Sequence, residues 1–336
     1  MPKEKMSAEE FTTQFVKLRR EGKSYTEIGK AIGYTKTAVQ KRSSRLGLND
    51  AVVHLPPSEI DERELVARRK LQFRSKRVAE EKGALIRCSV NIGGPFGILF
   101  FGDPHVDDDG TDIEMIEHHA RLTREVDGVF GATVGDITNN WIGRLARLYG
   151  DQSTTQSEAL VLAEWFVKSV NWLFLVGGNH DLWSGAADPL KWIARQYGAL
   201  YQSSEVRLRL VTPKKKTFTV NCRHDFKGHS MWNTAHGALK AAMLGPSDNV
   251  FICGHTHVSG YNIYKNENGV ISHCIQVPSY KLYDRFAKDR GFRDQTISPG
   301  VLVVFNVDAE TEADKVVVFQ DVDRGCDYLT YLRGKK

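Results

Sequence analysis

The 336-residue sequence predicts a layered α/β body preceded by a small basic helical module, on three observations. Short strand-like apolar runs recur at 97–102, 129–134, 172–177, 217–223, 249–253, 258–264, 270–277, 300–307 and 315–320. The earlier runs alternate with helix-like stretches near 112–126, 153–170 and 188–197, and the later ones follow one another like an antiparallel meander. That mixture fits stacked layers of sheet and helix rather than a bundle or a pure sandwich. Charge is also unevenly spread. Residues 1–50 hold 11 basic and 6 acidic side chains and the other 286 residues balance at 35 each, so the whole excess of +5 lies in the first fifty. A basic module on a neutral body points to a polyanion partner.

Composition limits the function classes. With 41% hydrophobic and 26% charged residues there is material for a core, which excludes global disorder. Runs such as Gly97-Ile98-Leu99-Phe100-Phe101 are far short of the roughly 18 apolar residues a membrane span needs. Met1-Pro2-Lys3-Glu4-Lys5 leads into a polar stretch without an apolar secretory core, so a cytoplasmic location and no membrane partner are expected. Five scattered cysteines without a C-x-x-C argue against a disulfide scaffold and a cysteine zinc site. Cys222 and Cys253 read as small buried hydrophobes.

Along the chain, residues 1–50 predict three short helices. Ser7-Ala8-Glu9-Glu10 and Ser24-Tyr25-Thr26-Glu27 fit the capping box, and Gly33 and Gly47 suit helix ends. Phe11, Phe15 and Leu18 share one face of the first helix, and Ile28, Ala31 and Ile32 share one face of the second. Thr35 caps the third, which directs Lys36, Lys41, Arg42 and Arg45 outward and Val39 and Leu46 inward. Residues 51–57 read as a linker stopped by Pro56-Pro57, and 58–83 as a charged helix that either connects or clasps the body.

Five polar clusters follow strand-like runs: Gly102-Asp103-Pro104-His105, Gly135-Asp136, Gly178-Asn179-His180-Asp181, Arg223-His224-Asp225 and Gly254-His255-Thr256-His257. Strand C-termini gather on one edge of an α/β sheet, so these loops are placed to converge. Each cluster alone is weak, because Asp-x-His often decorates a surface and Asn-His-Asp often makes a turn. Together they offer two carboxylates, one amide and four histidines, a mixed N/O donor set suited to Mn, Fe, Zn or Ni rather than Ca.

In this order the clusters resemble the signature of calcineurin-like metallophosphoesterases, over about residues 97–320. The resemblance implies a four-layer α-β-β-α metallophosphoesterase sandwich over residues 84–336 with a two-metal centre. It implies one ion held by Asp103, His105 and His257, another held by Asn179, His224 and His255, and Asp136 bridging both. Two divalent ions, Mn2+ foremost and Fe, Zn, Ni or Mg as alternatives, would activate hydroxide for attack on phosphorus. His180 is implied to stabilise the transition state or protonate the leaving oxygen, with Asp181 orienting it. Two departures stand out. Ile137-Thr138-Asn139-Asn140 lacks the further charged residue that many members carry after the second motif. The fourth motif offers His224 and His229, of which His224 directly follows its strand.

The first fifty residues resemble a homeodomain-like helix-turn-helix. That would put Thr35, Lys36, Thr37 and Gln40 near base edges and Lys41, Arg42 and Arg45 near phosphates, with DNA as partner. A three-helix protein-contact module is the plainer alternative. Lys281 through Arg293, with Arg285, Lys288 and Arg290, is a basic stretch that either borders the cleft or is a soluble loop. Asn139, Asn140, Trp141, Arg144 and Arg147 form a candidate substrate wall. The tandem, with the segment 223–237, is similar to phage or prophage proteins. The expected function is therefore phosphodiester hydrolysis on DNA by a tethered nuclease. A phosphatase or nucleotide phosphodiesterase with a localising module is one alternative. A DNA-binding regulator with an inactive esterase body is another, and the completeness of the donor set weighs against it.

Overall fold

The computed structural model describes residues 6–48, 61–182, 189–283, 288, 289, 291 and 295–335. The linker reading at 51–57 and the cations Arg285, Arg290 and Arg293 lie outside the described residues. Two compact units are present, Met1–Arg74 and Ser75–Lys336, and the division falls within one long helix.

In the first unit, helices α1 (Ala8–Arg20), α2 (Tyr25–Ile32) and α3 (Lys36–Arg45) begin at Ser7, Ser24 and Thr35, with both expected capping boxes formed. Phe11, Phe15, Ile28 and Val39 make its core. Ala31, expected inside, is exposed, and the buried stripe of α2 runs through Ile28 and Gly29. Arg42, expected outward, turns in. It donates to the Tyr34 hydroxyl at 2.9 Å, to the Ser7 carbonyl at 3.0 Å and to the Met6 carbonyl, and it lies 4.7 Å over the Phe11 ring. The reason is register. Position 42 sits three residues after buried Val39, on the same face, and its long stem reaches the start of α1. Helix α4 spans Glu62–Gly83 and contains no buried residue.

The second unit contains two six-stranded sheets. One has the order β1 (Ile86–Ser89), β6 (Glu205–Val211), β7 (Thr217–Arg223), β8 (Val250–Cys253), β10 (Ile271–Gln276), β9 (Gly260–Lys265). The other has the order β12 (Val316–Phe319), β11 (Gly300–Phe305), β2 (Phe96–Phe101), β3 (Val129–Thr133), β4 (Trp172–Val176), β5 (Tyr201–Gln202). The uniformly apolar β2 is buried throughout because both its faces are covered. Phe96, Ile98 and Phe100 meet Leu208, Val220 and Ile252 between the sheets. Leu99 and Phe101 meet residues of α5 (Ile113–Glu125), α6 (Gln156–Ser169) and the closing helix Val322–Gly334 on the other side. Two short helices, α7 (Asn179–Leu182) and α8 (Pro189–Gln196), follow β4, and α8 adds Leu190 and Ile193 to that layer. Helix α9 (His236–Leu244) packs Ala238 and Ala242 on the opposite outer face, against Phe251 and Cys274, which completes four layers, α-β-β-α.

The expected late meander is only partly present. β9–β10 and β11–β12 pair antiparallel, but in different sheets, and β7, β8 and β10 run parallel. Helix α9, not anticipated from the sequence, supplies the crossover that lets β7 and β8 run parallel. Cys222 and Cys253 are buried and all five cysteines are free. No helix among the described residues is long and apolar enough to cross a membrane.

Candidate metal centre

β2, β3 and β4 are parallel in one sheet, and β7 and β8 are parallel in the other. The loops leaving their C-terminal ends are tied together. The His105 N–H donates to the Asp136 carbonyl at 3.0 Å, the Gly254 N–H to the His224 carbonyl at 3.0 Å, and the His255 N–H to Asp103 Oδ2 at 2.6 Å. Two glycines permit the approach, since a Cβ at Gly178 would overlap the Asp136 carboxylate and one at Gly254 the Asp103 carboxylate.

All seven candidate ligands meet there. His224 Nε2 lies 3.2 Å from Asp136 Oδ2, 2.8 Å from Asn179 Oδ1 and 3.1 Å from His255 Nδ1. His257 Nε2 lies 3.3 Å from both Asp103 Oδ2 and His105 Nε2. Asp103, His105, Asp136 and His224 form a buried floor, while Asn179, His180, His255 and His257 reach the surface at the mouth. His229 is exposed on the following loop, and it is His224 that the structure brings into the cluster. Two overlapping sets of possible ligand atoms stand out, His105–Asp136–His180 and Asp136–His224–His255, with Asp136 common to both.

The chemistry of the pocket fits divalent cations. Asp103 Oδ1 and His105 Nδ1 are buried and make no hydrogen bond among the described residues, a costly condition for polar atoms with no other role. His105, Asp136, His255 and His257 have φ of 40°, 53°, 71° and 55°, so among the described residues four of the six non-glycine residues with positive φ are candidate ligands. Each such conformation costs about 1–3 kcal/mol and persists where surrounding structure enforces it, typically at functional sites. Imidazole, carboxylate and amide donors without thiolate suit Mn, Fe, Ni or Zn.

In the pocket, burial and neighbouring charges act against one another. Burial works against a charged His224 ring, but the Asp136 carboxylate, with Asp103 behind it, outweighs burial and lifts His224 to about 10. Burial would raise Asp136, yet His224 and His180 hold it below the usual carboxylate range. Burial pushes His105 well below its ordinary value, with nearby His180 acting in the same direction. Burial also lowers His180, against the pull of Asp136.

The expected role of Asp181 is corrected. Its carboxylate accepts the backbone N–H of Ile137 at 3.0 Å and of Gly178 at 2.8 Å, so it staples two site loops rather than orienting the His180 ring. Burial, together with the Asp136 charge, raises Asp181 to about 8. The partner of His180 Nδ1 is the Asn139 carbonyl, and the Asn140 side chain donates to the His180 carbonyl at 2.6 Å. The Trp141 ring meets the His180 ring edge-on at 5.0 Å.

Asn139 and Trp141 are buried supports of His180 and not an open substrate wall, whereas Arg144 and Arg147 are exposed on the 3₁₀ turn Gly143–Asp151. The Asn139 N–H donates to Asp107 at 2.7 Å and its side-chain amide to Asp108 at 2.7 Å. Asp108 pairs at 2.9 Å with Lys281, whose ammonium lies 5.1 Å from the centre of the Trp141 ring. Lys281, expected on a basic stretch that either borders the cleft or is a soluble loop, is a buried member of this support. Asp107 and Asp108 are supports that the sequence reading did not single out. The triple aspartate 107–109 directly after the first cluster was the available signal.

No protein-family model matches the chain, and no curated protein matches it by sequence. Among solved structures, the 5'-nucleotidase precursor from Thermus thermophilus is similar at 11% identity and a TM-score of 0.40, over 67% of this chain and 53% of that one. The NAD nucleotidase NadN of Haemophilus influenzae is similar at 10% identity and a TM-score of 0.37, over 67% of this chain and 49% of that one. This chain thus spans about half the length of those two. The calcineurin-like phosphoesterase YfkN from Bacillus subtilis is similar at 11% identity and a TM-score of 0.32, over 71% and 99% of the two chains.

Proposed function

We propose that the second unit is a two-metal-dependent phosphoesterase of the calcineurin-like kind, acting as a phosphodiesterase on DNA. The observation that carries the reading is the convergence of Asp103, His105, Asp136, Asn179, His224, His255 and His257, with Asp136 common to both ligand sets. Asp103, His105 and His257 would hold one ion, Asn179, His224 and His255 the other, and Asp136 both. Mn2+ is the first choice, with Fe, Zn, Ni or Mg as alternatives. Such ions supply Lewis-acid polarisation of a phosphoryl group and lower the pKa of water towards neutrality.

The chain's own residues do the rest. The Asn139 carbonyl can only accept, so His180 Nδ1 carries the proton facing it. Nε2, 3.9 Å from Asp136 Oδ2, would take or deliver a proton at the mouth. Asp181 and Asn140 hold the loops that carry Asp136 and His180. DNA as substrate draws its support from the basic first unit, in which Lys36, Thr37, Gln40, Lys41 and Arg45 are exposed on α3.

The test is hydrolysis of a nucleic-acid panel beside a phosphomonoester, with Mn2+ against chelator. Metal-dependent cleavage of DNA is expected. Cleavage of the monoester alone would move the substrate to small phosphates and leave the first unit a localising or protein-contact role. His180→Ala should keep its metals and lose about 10²–10⁴-fold in rate, the range of a positioned acid. Loss of metal in that variant would make His180 a ligand, as its place beside His105 and Asp136 also permits.

A further inference from the structure

Helix α4 is exposed along all 22 residues, and no other stretch of the described chain combines that exposure with such an excess of charge. From Ala67 to Ala79 it carries Arg68, Arg69, Lys70, Arg74, Lys76 and Arg77 and no acidic residue.

The side chains are also arranged. At about 100° per residue, Arg63, Lys70, Arg74 and Arg77 fall in a sector of roughly 60°, along about 21 Å of axis. The exposed apolar residues Leu65, Val66, Leu71, Phe73 and Val78 fall in three separate sectors. They make no continuous apolar face, which weighs against a membrane-surface helix or a coiled-coil seam. Among the described residues, Arg77 has a carboxylate partner, Glu81 at 3.7 Å, whereas the side chains of Arg63, Lys70 and Arg74 have none. Like charges at Lys70–Arg74 and Arg74–Arg77 spacing repel one another on a helix, a repulsion that a row of external anions would relieve.

Duplex DNA supplies such a row, with one phosphate per roughly 1.7 Å of axis and no fixed register required. The geometry points to a second nucleic-acid contact: the stripe Arg63–Lys70–Arg74–Arg77 of α4 binds the phosphate backbone of duplex DNA, in addition to α3. This rests on the reading of DNA as the partner.

The test uses the full chain and a fluorescent random-sequence duplex, with chelator present, over a series of salt concentrations. The combined variant Arg63→Gln, Lys70→Gln, Arg74→Gln, Arg77→Gln keeps helix propensity and should keep its circular dichroism. Its log-affinity against log-salt slope should be shallower by about 3–4, at roughly 0.9 per lost phosphate contact, and its low-salt affinity lower by at least about tenfold. Arg63→Lys, Arg74→Lys and Arg77→Lys together should restore the wild-type slope, because charge alone is required. An unchanged slope and affinity in the glutamine variant would overturn the inference. A parallel variant, Lys36→Gln, Lys41→Gln, Arg45→Gln, separates the two readings. If it binds like wild type while the α4 variant does not, α4 stands and the role given to α3 falls. If the wild-type chain shows no salt-dependent duplex binding, both fall.

Discussion

Lys281→Met removes one ammonium from a place where little water can replace it. The Lys281 side chain is 4% exposed and its partner Asp108 15%. Breaking a buried ion pair by deleting one partner costs about 3–5 kcal/mol, because the other charge stays behind. Asp108 keeps the Asn139 amide at 2.7 Å and the Gly110 N–H at 2.9 Å, which places the loss near the lower end, about 3 kcal/mol. For a unit of this size that is a fall of about 5–6 °C in Tm. Thermal and urea unfolding of the metal-free protein measure it. Asp108→Asn in the same background should recover at least about 1.5 kcal/mol, since the stranded charge is then gone. Asn139, held by Asp108, presents its carbonyl to His180. Lys281→Met should therefore also slow turnover while the metal content stays at the wild-type level. Strictly additive losses from Lys281→Met and Asp108→Asn would refute the coupling.

Two further outcomes are expected. His119 is buried on α5, its Nδ1 2.5 Å from the Tyr280 hydroxyl, and burial, with His118 beside it, lowers it to about 4. The folded state thus holds it neutral while the unfolded ring takes up a proton below about 6.5. Its contribution is complete above that pH and falls by about 3 kcal/mol as pH drops towards 4. Urea unfolding across this window should be less pH-dependent in His119→Gln, and an equal dependence would count against it. In the first unit, Arg42→Ala should speed hydrogen exchange of the α1–α3 amides without changing the salt slope for duplex DNA, whereas Lys41→Ala should reduce that slope by about 0.9.

Much of the arrangement is legible in the sequence because it is local. Nine strand-like runs and the capping boxes at Ser7 and Ser24 come from residues within a few positions of each other, and each appears near its expected place. The site clusters were legible because each immediately follows a parallel strand. What was missed depends on partners far apart in the chain. β6, Glu205–Val211, alternates as a strand should, but its Arg207 and Arg209 disguise it, and Asp248 pairs with Arg207 only after folding. Arg42 reads as one more cation until the Met6 and Ser7 carbonyls come near it. Lys281 reads as the start of a soluble basic stretch because Asp108 and Trp141 lie more than a hundred residues away.

Metal stoichiometry of the full chain, measured by titration with Mn2+ and elemental analysis, tests the central claim most directly. Two ions per chain are expected for wild type and, because Asp136 belongs to both ligand sets, loss of the paired site and of metal-dependent turnover in Asp136→Asn. Wild-type protein that binds fewer than two ions, or an Asp136→Asn variant that binds both as wild type does, would contradict it.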